Sequence, residues 1–590
     1  MKEKKYALYG IGVVLISLIG ISLAYFVTQI VGNEKNISVN TKDLRIIFNN
    51  GDAITGENVV AEDNWSMTKT FSVENKSNST YKYNIVIKDL INTFKTTGYL
   101  QYKITSTDGG YNMTSFEDVP KRSNASDTVL AYSVSIDEGV TQNYTITIQY
   151  PNDENADQSD DMGATLSGKL YISEGTPTPT LAEVMLRDNP TISERTDFSV
   201  TNTANTTGTI YQTNKTEDGS TVYYYSGNTT NNWVKFGKGK MQECTYNGLQ
   251  VYYGVYNEET EDYKEVRNVV SIDECISTNV CLDDYYGPII GLTEEQCTNE
   301  DGIAGTWTTD KATVGNKSAK ELFWRIIRTN EDGSIRLLYS GINYETLYPF
   351  IGSSPFNIID RQMDDSTLNG YMYGTTGSLE NNRTNENSSN VKKFIDNWYS
   401  ETIVNDYDKY VSKTAIYCND RSISSGTYSS KPYFGPYTRL ENSAPTYKCG
   451  GDENGGLFES TQALADKFSA STSGGGNGQL TYPIAMMTAD EVSFAGGIRG
   501  NSETGDVSWF GSNGLNEIFE AGSWWIMSPM NYFGAFNQIF VVTHNGITFT
   551  TQWANTKIRP VISLNACVKI KSGNGTPDDP YAVDYDNSCS

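Results

Sequence analysis

Four stretches in the first third of this chain alternate with period two. They are Thr68-Lys69-Thr70-Phe71-Ser72-Val73, Tyr81-Lys82-Tyr83-Asn84-Ile85-Val86-Ile87, Asn143-Tyr144-Thr145-Ile146-Thr147-Ile148-Gln149-Tyr150 and Leu166-Ser167-Gly168-Lys169-Leu170-Tyr171-Ile172. Successive side chains of an extended strand point to opposite faces, so such alternation predicts strands with one buried face. Leu44-Arg45-Ile46-Ile47-Phe48 adds a shorter strand. Turn residues separate these runs at intervals that suit an all-β sandwich over residues 34–174.

The rest of the chain is built differently. Its 590 residues suffice for two to four domains with cores of their own. Lys and Arg number 45 against 71 Asp and Glu, giving a net charge of −26. Such a chain repels phosphate backbones, which argues against a nucleic-acid partner. With 40 Tyr, 21 Phe and 37% hydrophobic residues it is no disordered polypeptide. Tyr among many Asn, Thr, Ser and Gly suits binding surfaces, where rigid rings and small polar groups act together. AT-rich codon usage would produce the same bias. The single histidine, His544, removes any multi-histidine metal site and leaves one candidate for a Ser-His-Asp triad.

Lys2, Lys4 and Lys5 precede an apolar run from Tyr6 to about Val31. A run of this length can span a bilayer with its charged end inside. Ser22-Leu23-Ala24 would equally serve as a signal-peptidase site. Residues 1–33 therefore read as a signal peptide or membrane anchor, and both alternatives put the remainder outside the cytoplasm. All eight cysteines follow residue 243: Cys244, Cys275, Cys281, Cys297, Cys418, Cys449, Cys567 and Cys589. An even count in this setting predicts disulfides, and no C-x-x-C pair suggests zinc. Pairing of neighbours, 418 with 449 and 567 with 589, would pin long loops and the tail.

Glu174-Gly175-Thr176-Pro177-Thr178-Pro179 reads as a linker stiffened by proline. Thr180-Leu181-Ala182-Glu183 is a capping box opening a helix that carries Leu181, Val184 and Met185 and stops before Pro190. Linker and helix occupy 175–190, and an α+β head takes 191–590. In the head, Val222–Tyr225 and Trp233–Phe236 read as strands. Phe323–Arg328 and Ile335–Tyr339 form a hairpin across Asp332-Gly333. Residues 238–319, with four cysteines, read as an insertion between strands that belong together. Val391, Phe394, Ile395 and Trp398 define one buried helical face, and Thr488-Ala489-Asp490-Glu491 caps a second helix holding Val492 and Phe494. Residues 450–456 and 470–478 are Gly-rich loops.

The late segment carries an ordered set of motifs. Ser523-Trp524-Trp525-Ile526-Met527-Ser528-Pro529 is followed by Ile539–Phe549, a hairpin turning at Asn545-Gly546, and by Ile558-Arg559-Pro560-Val561-Ile562-Ser563-Leu564. With Phe323-Trp324-Arg325-Ile326-Ile327, this set resembles the C-type-lectin-like fold, as in formylglycine-generating-enzyme-type domains of bacterial surface proteins. The resemblance spans roughly residues 320–570. The order of features before residue 174 resembles the TasA/camelysin group of secreted matrix proteins, whose members are β-sandwiches, some of them fibre-forming. A plain spacer lifting the head off the membrane accounts for that region as well.

In lectin-like domains the late strands and loops display the ligand. The resemblance therefore implies a ligand surface of Asn531, Tyr532, Phe533, Phe536, Asn537, His544, Asn545, Thr548, Thr550, Gln552, Trp553 and Asn555. Aromatic faces stack on sugars or seat protein side chains, and amides fix orientation. The alternative is that Phe540, Val542, Ile547 and Phe549 are core while the polar residues face water. Trp524 and Trp525 read as core. The calcium-ligating motifs of lectins are missing, and Asp364-Asp365 and Asp283-Asp284 read as solvated loop charges. Cys418 and Cys449 do not match the reactive cysteines of the formylglycine-generating enzyme. No metal, cofactor or catalytic residue is expected. The asparagine-rich stretch 531–555 also suits a cassette diversified by a retroelement.

The reading that follows is a surface receptor or adhesin, secreted or anchored, whose head binds a glycan or protein on another surface. The alternative is a structural subunit of a matrix fibre or pilus. A carboxylate-based glycan hydrolase ranks behind both, because no pair of carboxylates stands out by position.

Overall fold

In the computed structural model, residues 65–239 are described apart from 97, 154–157 and 162. Residues 320–589 are described apart from 343–348, 359–364, 377, 425–426, 430–431, 451–463, 472–477, 501–508, 510–522, 534–535 and 544–545. Of 1–64 and 240–319 the structure describes mainly the backbone of the strands named below. The chain divides into two compact units, Met1–Pro179 with Lys569–Asn574, and Thr180–Val568 with Gly575–Ser590.

The first unit is two sheets around one core. The first sheet runs Ile54–Val59, Phe26–Val31, Thr165–Glu174, Tyr81–Asn92, Arg122–Ile136. The second runs Ile37–Thr41, Leu44–Asn49, Trp65–Asn75, Thr141–Tyr150, Gln101–Ser106, Glu117–Asp118. The alternation explains the layering. Tyr144, Ile146, Ile148 and Tyr150 from one sheet meet Tyr83, Ile85, Ile87, Leu166, Leu170 and Ile172 from the other in a continuous buried cluster. Each such side chain contributes roughly 1.5–3 kcal/mol on burial. The tyrosines keep their polar ends satisfied: the Tyr83 hydroxyl donates to Gln142 Oε1 at 2.7 Å and lies 2.5 Å from that of Tyr144. Phe71 stacks on Tyr144 with ring centroids 4.7 Å apart.

The apolar N-terminal run needs one correction. Its last six residues, Phe26–Val31, form a strand parallel to Thr165–Glu174 and antiparallel to Ile54–Val59, so no helix extends to Val31. Residues 1–25 lie outside the described residues. Among those described, no helix is long and apolar enough to cross a membrane.

The second unit is α+β. Its central strand, Lys320–Thr329, is buried continuously from Leu322 to Arg328. One edge pairs with Ile335–Tyr339, completing the expected hairpin, with Gly333 at φ 80° in the turn. The other edge pairs with Trp233–Gly239 and touches Val222–Tyr224. Trp233 and Arg325 are register partners, so the strands flanking residues 240–319 adjoin and that stretch is an insertion. Within it, Gln242–Tyr246 pairs with Leu249–Tyr252 and Thr313–Asn316, and Val280–Asp283 pairs with Gly287–Ile290 and Thr306–Thr308.

Both capping boxes form. Thr180 and Glu183 open Leu181–Asp188, which buries Leu181, Val184 and Met185 and ends before Pro190. Thr488 and Glu491 open Ala489–Ala495. Helix Asn390–Thr402 buries Val391, Lys392, Ile395 and Tyr399, whereas Phe394 and Trp398 are only half-buried. Lys392 is tolerated inside because it pairs with Asp396 one turn on. A further helix, Gly435–Glu441, went unread in the sequence.

Disulfides join Cys418 to Cys449 and Cys567 to Cys589, the two expected pairings, and such bonds suit an oxidising, extracytoplasmic setting. Cys297 is also disulfide-bonded, while Cys275 and the side chains of Cys244 and Cys281 lie outside the described residues. The Gly-rich loops lie largely outside them as well, at 451–463 and 472–477. The Cys567–Cys589 bond closes a loop with a sequence separation of 22. Its replacement, C567S/C589S, is expected to cost about 3 kcal/mol through unfolded-chain entropy, read as a lower denaturant midpoint. An unchanged midpoint would show that the tail does not depend on it.

Candidate functional site

The paired tryptophans begin strand Trp524–Phe533, which lies inside a five-stranded sheet. Its order is Ser353–Ser354, Thr556–Lys557, Trp524–Phe533, Phe536–Thr543, Gly546–Thr551. Trp524 and Trp525 are fully buried, as expected of core residues, and the Trp525 indole donates to the Ser354 carbonyl at 2.8 Å. Ile539, Phe540, Val541 and Val542 of the next strand, Phe536–Thr543, are buried on both faces. This sheet therefore holds its tip rigidly.

The expected surface residues separate into groups. Phe533, Phe536 and Trp553 gather at the tip: Phe536 meets Trp553 edge-on at 5.1 Å and Phe533 at 6.5 Å. Phe533 is 57% exposed and Trp553 38%. Asn555 is exposed beside them, and Tyr532, Thr548 and Thr550 are half-buried. Asn531, Asn537 and Gln552 are buried, which takes them off the surface assigned to them. Gln552 and Asn537 share a backbone hydrogen bond of 3.1 Å, and the Asn537 amide reaches the Asp365 carbonyl at 3.4 Å. Asn537 thus meets the loop after residue 364 and Gln552 the segment at Asn357, neither of which alternation in the strand could reveal. His544 and Asn545 lie outside the described residues, as do Asp364 and Asp284. Phe540, Val542 and Ile547 are core, but Phe549 is 39% exposed.

Sequence reading missed two contributors. The loop at Pro432–Phe434 runs beside the outer end of Trp524–Phe533. The amide of Tyr532 donates to the Pro432 carbonyl and that of Phe434 to the Met530 carbonyl, both at 3.0 Å. This places exposed Tyr433 opposite Asn531, with its ring tilted against that of Tyr437 at 4.4 Å. Ile358, also exposed, follows Asn357, whose amide donates to the Gln552 carbonyl at 3.0 Å. Seven large hydrophobic residues are exposed among the described residues. Five of them, Ile358, Tyr433, Phe533, Phe549 and Trp553, lie in this sheet or on segments bonded to it. Phe533 and Trp553 meet through Phe536, and Tyr433 stands opposite Asn531 at the same end of strand Trp524–Phe533.

A second feature of the same unit is a cavity of about 320 Å³. Its floor is ionic. Glu491 accepts from Arg336 Nη1 at 2.6 Å and Arg328 Nε at 3.3 Å, and its other oxygen accepts from the Thr488 amide at 3.0 Å. Arg439 bridges Asp490 at 2.7 Å and Asp420 at 2.8 Å. Burial pushes the Glu491 carboxyl up, but the two guanidiniums outweigh it and hold it below its usual range. Burial disfavours the Arg439 cation, and its two carboxylates more than reverse this. Burial raises the Asp420 carboxyl, although Arg439 pulls it down. The Cys418–Cys449 bond forms part of the wall.

No protein-family model matches the chain, and no curated protein matches it.

Proposed function

We propose that this is an extracytoplasmic surface protein, anchored or secreted, whose second unit is a lectin-like binding head. The head holds a glycan or protein ligand across the patch formed by Tyr433, Phe533, Phe536 and Trp553, and does so without catalysis. The observation that supports this reading is the concentration of exposed large hydrophobics on one rigid sheet. Rings with polar neighbours such as Asn555 suit sugar stacking and protein hot spots alike.

The test is binding of the full-length protein to arrays of glycans and of surface proteins, with F533A/W553A alongside. Loss of one ring buried at a hot spot costs about 2 kcal/mol or more, so even if a single one of the two is a hot spot the double variant should bind at least about thirtyfold more weakly. Both residues are exposed, so the fold should survive. A ligand held equally by wild type and variant would sink this placement, and silence from every array would sink the binding reading itself.

A further inference from the structure

The ladder register shows which side chains of the aromatic tip share a face. Asn531 is the partner of Gln538, Gln538 of Thr551, and Phe533 of Phe536. Paired residues, and residues two apart along a strand, point to the same side. Phe533, Phe536, Gln538, Phe549 and Thr551 therefore share one face. Trp553 joins it through its edge-on contact with Phe536, and Tyr433 through its bridge to Asn531. Thr548 and Thr550 alternate with Phe549 and Thr551 and point the other way.

Gln538 and Thr551 stand in the middle of this face. Phe549 lies two residues to one side of them and Phe536 two residues to the other. Both are half-buried, and neither side chain has a hydrogen-bond partner among the described residues. A ligand site has this composition: apolar contact area around a few polar groups that fix orientation. None of the residues named on this face is charged, in a chain of net charge −26. The face runs about 13 Å from Phe549 to Trp553 and, counting the Tyr433 bridge, about 14 Å across the strands. That is roughly 200 Å², a quarter of the ~800 Å² each partner buries in a standard protein interface.

We infer that this face binds a neutral saccharide, with Gln538 and Thr551 as the residues that discriminate among its hydroxyls. The inference rests on the reading of the tip as a ligand site and adds the ligand class and the specificity residues. A sugar hydroxyl both donates and accepts, as do the Gln538 amide and the Thr551 hydroxyl. The apolar side of a sugar ring packs on the exposed faces of Phe533, Phe549 and Trp553. An acidic sugar finds no counter-charge here and a repulsive field around it. A folded protein finds too little area.

The experiment probes the full-length protein with neutral oligosaccharides ending in glucose, galactose, mannose or N-acetylglucosamine, with acidic ones ending in sialic or uronic acid, and with surface proteins. The strongest neutral probe is then titrated into wild type, Gln538→Ala and Thr551→Val. The expected result is binding of neutral saccharides alone, in the millimolar range or tighter, and insensitive to salt because no ion pair is involved. Each variant should bind about threefold to tenfold more weakly, as loss of one hydrogen bond does, and should change the order of preference among the sugars, which a structural role would not. Both side chains reach solvent, so the urea midpoint should stay at the wild-type value. Equal binding of acidic saccharides, binding of no neutral one, or affinity and preference unchanged in both variants would each overturn the inference. A surface protein captured by wild type and lost in F533A/W553A, with no saccharide bound, would overturn it in favour of a protein ligand and leave the tip as the site. A saccharide held equally by wild type and F533A/W553A would sink both readings.

Discussion

Replacing Glu491 with alanine will lower the stability of the second unit by about 3–5 kcal/mol. This carboxylate is 2% exposed and serves three partners: two buried guanidiniums, and the first amide of the capping box. Its removal leaves the Arg336 cation without a carboxylate, holding on only to the Ile416 carbonyl among the described residues, while its Nε already has no acceptor. Arg328 would keep Glu331 at 3.4 Å, a partner nearer solvent. Tryptophan fluorescence in a urea titration is the suitable readout, because Trp65 is the only one of the nine tryptophans in the first unit. A midpoint shift corresponding to less than about 1 kcal/mol would mean that the ion cluster is solvated in solution. The sign of the pH dependence follows. Glu491 has a folded-state value depressed below the usual 4.5. Its contribution is complete above that value and disappears as pH falls through the depressed one. Glu491→Gln should therefore remove part of the acid sensitivity below pH 4.5, beyond any uniform loss of stability.

Arg421→Ala should be comparably severe. Arg421 and Asp466 are both fully buried and joined at 2.6 Å. The same guanidinium donates to the Thr367 carbonyl at 2.7 Å, to Asn385 Oδ1 at 3.3 Å and to Asn382 Oδ1. It thus connects three segments far apart in the chain, each too short to hold a core alone. Without it Asp466 would lose its charged partner and still accept from the amides of Asn385 at 3.1 Å and Asn419 at 3.5 Å. Loss of about 3–5 kcal/mol is expected, and a matching loss for Asp466→Ala with little further loss in the double variant. Additive losses would show that the two groups act independently.

What could be read in advance was local. Period-two runs, two capping boxes and the Asp332-Gly333 hairpin are each written in a few consecutive residues, and each formed. The neighbouring-cysteine pairings did too. The cavity was illegible because its groups come from separate segments: Asp218, Arg328, Asp420, Arg439 and Glu491 meet only after the sheet has closed. Thr488 and Glu491 were visible as a cap, while the second task of Glu491 was not. The burial of Asn531, Asn537 and Gln552 was hidden for a related reason. Alternation identifies the buried face only when one face stays wet, and the strands here are covered on both. Helix Gly435–Glu441 left a signal that went unused, proline at its first turn.

The last strand, Tyr581–Val583, lies parallel to Trp233–Gly239, and the Tyr585 hydroxyl accepts from the Gly237 amide across 348 residues of sequence. The sheet of the second unit therefore stays open at Trp233–Gly239 until Tyr581–Val583 has been added. Contacts of such long range fold slowly and leave strand edges bare in the meantime. A chain cut short by ten residues would present Trp233–Gly239 to its neighbours and clump.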